Sequence, residues 1–154
     1  MELAISIISL VTALIALLTS VLPSTLNMRR NVIDFRNKYD EFRSSVASAL
    51  TMYACYFHNP VDLAKTEDHR LPQKYDIASD ELRNLGATAK ALSAIVPANK
   101  KKLPIAKEEL NDVSGYLIGL SNSMTTPYNC SASAEELRAV REWQSEIKRL
   151  LNID

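Results

Sequence analysis

From Leu3 to Leu22 the chain holds twenty consecutive residues without a charged side chain, and their only polar members are Ser6, Ser9, Thr12, Thr19 and Ser20. As a helix rising about 1.5 Å per residue, the run measures about 30 Å, the thickness of a bilayer's hydrocarbon core. It predicts a transmembrane anchor over residues 1–23. A cleaved secretory signal would open on basic residues and end in a small-x-small site, whereas here Glu2 precedes the run and LTSVLPSTLN closes it. A core helix can also be apolar on every face, but a chain of 154 residues has too little other mass to surround one. Arg29, Arg30, Arg36 and Lys38 follow the run closely and no basic side chain precedes it, a bias that places the N-terminus outside and residues 24–154 in the cytoplasm. Ala4, Ser6, Ser9, Ala13, Ala16 and Ser20 would permit close helix contacts in a homo-oligomer.

The remainder fits one compact domain. Basic and acidic residues balance at 18 each, yet every Lys and Arg lies beyond residue 28, so an apolar end precedes a charged body. No duplex nucleic-acid partner is expected. Cys55 and Cys130 are far apart with no CxxC pair, which fits a reducing compartment and points to neither a zinc site nor a disulfide framework.

Pro23 and Ser24 are expected to end or bend the span. Beyond them Met28, Val32, Phe35, Tyr39, Phe42, Val46, Ala49 and Tyr53 alternate spacings of four and three, a heptad seam that predicts a long helix ending at Asn59 and Pro60. Aromatic residues on that seam favour a partner within the same chain over a two-stranded zipper. A polar loop over 58–76 follows, with both histidines. Apolar spacing predicts a second helix over 77–96 and a third from Pro104 through Met124, in which Gly115 and Gly119 are assigned to close packing. Ser133 and Glu136 form a capping box that opens a fourth helix, 134–151, with Leu137, Val140, Trp143 or Gln144, Ile147 and Leu151 facing inward. The fold class is all-α: one transmembrane helix followed by a four-helix cytoplasmic domain.

Catalytic signatures are missing. No GxSxG elbow, Walker lysine, GxGxxG turn or HExxH pair occurs, which argues for a non-enzymatic protein with no cofactor or metal. His58 and His69, with Asp62, Glu67 and Asp68 between them, are the one grouping from which a small enzyme site is conceivable, and a solvated loop is the plainer reading. The basic residues carry more. Lys65, His69, Arg70 and Lys74 in the long loop, and Lys100, Lys101 and Lys102 at the next junction, are the candidate ligand-binding residues, facing phosphates or the anionic leaflet; solvated turns are the bland alternative.

IASDELRNLGATAKAL and GYLIGLSNSM, behind an apolar N-terminus and an aromatic-rich first helix, resemble small bacterial single-pass membrane proteins, among them the membrane effectors of type III CRISPR systems. That resemblance covers the chain's architecture throughout and motif-like residues only over 77–124. It implies an inner-membrane homo-oligomer, a tetramer, whose cytoplasmic domain binds cyclic tetra-adenylate and whose transmembrane helices then perturb the membrane during phage infection. It assigns no ligand residues. The rival expectation is an anchored adaptor that recruits a protein partner, with Tyr56, Phe57 and Trp143 as contacts.

Overall fold

The protein is described by a computed structural model. It describes residues 2–54, 71–98, 103–124 and 134–154, with side chains from residue 27 onward except those of Leu71, Pro72 and Ala134. The described residues form four helices and no strand: α1 (Glu2–Met52), α2 (Leu71–Ala94), α3 (Lys107–Met124) and α4 (Ala134–Leu151). The all-α expectation holds. Among the described residues no helix is long and apolar enough to cross a membrane. The side chains of the 3–22 run lie outside that set.

α1 is one helix of 51 residues, about 76 Å long, and it continues through Pro23 rather than ending there. Among its described side chains, burial begins part-way along. Asn27 to Asp34 are exposed apart from half-buried Val32, and Phe35 is the first core residue. From there the heptad seam is filled from within the chain, as the aromatic content predicts: Phe35, Tyr39, Phe42, Val46, Ala49 and Tyr53 all enter the core. Phe35 and Tyr39 stack with ring centroids 6.4 Å apart. The seam's first member, Met28, is instead exposed.

α2 begins six residues earlier than the apolar spacing predicts, so Lys74 lies in a helix rather than a loop. Pro72 sits in the first turn, where a missing N–H costs nothing, and the buried Tyr75, Ala78, Ser79 and Leu82 continue one face from there. α3 begins at Lys107, three residues after Pro104, because the Glu109 carboxylate reaches back to accept the Ala106 N–H at 2.8 Å and fixes the start. α4 matches its expected span. Ser133 of the expected capping box lies outside the described residues, as do Cys55 and Cys130.

The helices run up, down, up, down. Tyr53 of α1 meets Glu81 of α2, Ser79 of α2 meets Ser121 of α3, and Gly119 of α3 meets Trp143 of α4. The α2–α3 pairing is the most extensive, with α4 on α3 and α1 on α2. Small residues let α2 and α3 approach closely. The Ser79 hydroxyl lies 2.9 Å from that of Ser121, Ser114 donates to the Gly86 carbonyl at 2.8 Å, and Ser93 donates to Asn111 Oδ1 at 2.8 Å. Each of these serine hydroxyls is thereby satisfied across the helix pair, which removes the penalty of burying it.

The three glycines differ in what surrounds them. A Cβ at Gly86 would stand 2.9 Å from an Ile118 side-chain carbon and 3.2 Å from the Ser114 carbonyl oxygen. One at Gly119 would meet the Trp143 ring at 3.1 Å, whereas at Gly115 nothing lies within 4 Å. The packing role expected of Gly119 therefore holds and that of Gly115 does not. Gly115→Ala should stabilise the protein by about 0.5–1 kcal/mol through helix propensity. Gly86→Ala should destabilise it by roughly 1–3 kcal/mol, because the α2–α3 backbones must part. Denaturant unfolding of the full chain reads both signs.

Candidate functional site

The up-down order sorts the candidate ligand residues. α1 enters its core at the base of the bundle, where α2 ends, α3 begins and α4 ends; α1 ends, α2 begins, α3 ends and α4 begins at the top. Lys74 is exposed in the first turn of α2, at the top. Lys65, His69, Arg70, Lys100, Lys101 and Lys102 lie outside the described residues. The first three belong to the segment that leads into the top of α2, and the lysine run follows Ala98, beyond its base. Along the chain, one group therefore precedes or opens α2 and the other follows it. Among the described residues no cluster of His, Cys, Asp and Glu is arranged to hold a metal ion, and His58 and His69 lie outside them.

Two polar ties fasten α1 to the bundle, and apolar spacing reveals neither. Near the base, Arg43 Nε donates to the Leu151 carbonyl at 2.7 Å, and a terminal nitrogen of the same guanidinium donates to the Asn152 carbonyl. These acceptors are the last carbonyls of α4, where the helix dipole is negative and intrahelical partners run out. The chain holds them in place with a Schellman turn: Asn152 adopts φ 51°, its N–H donates to Arg149 at 3.3 Å, and the Ile153 N–H donates to Lys148 at 2.9 Å. Ile153 then packs against the core. Higher up, the Tyr53 hydroxyl donates to the Glu81 carboxylate of α2.

Tyr39 lies one turn below Arg43. Burial pushes its phenol up from the ordinary value near 10; the Arg43 cation opposes that push, and the carboxylates of Asp40 and Glu109 add to it. A raised pKa in the folded state means that the neutral phenol is favoured by folding. Its contribution is fully present below about pH 10 and is lost as pH rises through the folded value. On the solvent side of α4, Arg149 bonds Glu146 at 2.7 Å and holds that carboxyl below its usual range.

Trp143, proposed as an adaptor contact, is half-buried over Gly119 and belongs to the α3–α4 packing. Tyr56 and Phe57 lie outside the described residues.

No protein-family model, curated protein or solved structure matches the chain.

Arg43→Gln should cost about 1–2 kcal/mol, since it removes a charge-assisted bond from carbonyls with no other partner in their helix. Hydrogen exchange should speed up at the end of α4 and at residues 39–50 of α1 while α2 and α3 keep their protection. Tyr39→Phe should remove the part of the alkaline stability loss that begins near pH 10, as followed by unfolding between pH 8 and pH 11.

Proposed function

We propose that the protein is a non-enzymatic membrane effector: residues 1–23 anchor it in a bacterial inner membrane, and the helical bundle on the cytoplasmic side binds an anionic nucleotide second messenger. The observation that carries this reading is the continuity of α1. The helix bearing the apolar run is the same one that buries Phe35, Tyr39, Phe42 and Val46 in the bundle. A shift of the bundle against those side chains therefore moves the anchor directly. A ligand drives such a shift only by binding the two arrangements unequally.

The ligand class rests on the basic residues of the two segments that flank α2. The messenger would be bound by one of these groups, or by both, within one chain or across copies of a homo-oligomer. Cyclic tetra-adenylate is the messenger that the resemblance of residues 77–124 brings to this reading. Membrane damage during phage infection, triggered by the ligand, is the role it would serve.

The test is thermal unfolding of the full chain in detergent with cyclic oligoadenylates, cyclic dinucleotides and linear controls. A messenger at a hundred times its dissociation constant should add about 2.7 kcal/mol, a rise of several degrees for a domain of this size. A rise confined to one cyclic species supports the reading and names the messenger. No rise with any of them, from a folded chain, removes the messenger and leaves an anchored adaptor to be sought by partner capture from membranes.

A further inference from the structure

Between the apolar run and the bundle, α1 crosses residues 27–34, whose side chains are exposed apart from half-buried Val32. Met28 is 51% exposed and Ile33 57%, with Arg29 and Arg30 exposed beside them. Apolar and cationic side chains thus stand exposed together on the part of α1 that adjoins the apolar run.

A second copy of α1 is the first candidate, because Met28 and Val32 continue the register of the seam. The bundle argues against it. The same face is covered from Phe35 onward by the chain's own helices, so a helix laid along Met28 and Val32 would run into the body two turns later. The angular pattern also disfavours a single partner. At about 100° per residue, Arg29, Arg30 and Ile33 stand roughly 100°, 200° and 140° from Met28, so cationic and apolar side chains are interleaved around the helix rather than sorted into faces. A surrounding that is itself mixed, and that encloses the helix on several sides, suits this pattern.

We infer that Met28, Arg29 and Arg30 form a collar in the headgroup layer of the bilayer, where the two arginines bind the phosphates of anionic phospholipids. This rests on the anchor reading of residues 1–23. Distance agrees with it: Arg29 and Arg30 follow Leu22 by seven and eight residues, about 10–12 Å along the helix. A guanidinium on its flexible stem turns back toward the hydrocarbon edge and meets the phosphate level, while the stem and Met28 cover apolar surface. Bidentate bonding to phosphate is the geometry for which arginine is suited. The collar fixes how deep α1 sits and therefore how far the bundle stands from the bilayer. Phe35 lies thirteen residues beyond Leu22, about 20 Å, so the first core residue of the seam stands beyond the headgroup layer.

The experiment uses the full chain reconstituted in vesicles of phosphatidylcholine alone and of phosphatidylcholine mixed with phosphatidylglycerol. Flotation at high salt reports insertion; gentle extraction then reports the ratio of the two lipids retained by the protein. The collar predicts flotation with both vesicles and enrichment of phosphatidylglycerol over the bulk ratio. Arg29→Gln with Arg30→Gln should lower that enrichment by about fivefold per arginine while flotation is unchanged. Lys100→Gln, Lys101→Gln and Lys102→Gln together should leave most of it. Enrichment that is absent, or that survives the arginine changes and follows the lysines, would overturn the collar while the anchor stands. Failure to float with either vesicle would remove both together.

Discussion

The burial of an aromatic seam on one third of a long helix is the interaction on which the rest of this structure depends. Phe35, Tyr39, Phe42 and Tyr53 bring most of the aromatic surface that the described core contains. Because they belong to α1, the bundle cannot be assembled without fixing the direction in which the N-terminal half of that helix leaves it. The other helices supply the counter-surface. α2 and α3 form a tight pair through small residues, and α4 closes the far side of α3 through Trp143 over Gly119.

Two kinds of force hold α1 to that counter-surface, and they differ in how they respond to motion. Apolar burial is broad and non-directional, so it tolerates sliding of one helix on another. The bonds from Arg43 to the end of α4 and from Tyr53 to Glu81 are directional, and they set the register of α1 along the bundle. Loss of either leaves a polar group of the partner helix short of a bond. A displacement of α4 or α2 is therefore passed to α1 at defined points, which is the mechanical content of the effector reading.

Much of the fold is legible in the sequence, and the reasons for the exceptions are local. The seam from Phe35 to Tyr53 and the span of α4 follow from apolar spacing, since each face is long and strongly patterned. The start of α2 is not, because Pro72 and Lys74 look like loop residues until Tyr75 is seen to be buried two turns before Leu82. The α2–α3 contact is disguised by its polarity. Ser79, Gly86 and Ser93 recur every seven residues, and Ser114 and Ser121 do the same, which is the signal of a close helix pair written in small residues rather than large ones. The candidate ligand residues were legible only as charge clusters. Their spacing along the chain conceals that Lys74 belongs to a 24-residue helix. Arg43 carries no sequence signal at all, because its acceptors are backbone carbonyls more than a hundred residues away.

The central claim is that α1 passes through three surroundings in turn: lipid, an exposed stretch and the bundle core. Hydrogen exchange of the full chain in vesicles tests it most directly, since amide protection along one continuous helix reports each surrounding separately. The account predicts strong protection over residues 3–22, fast exchange over 27–34 and strong protection again over 35–52. Exchange over 3–22 as fast as over 27–34, in vesicles that retain the protein, would contradict it.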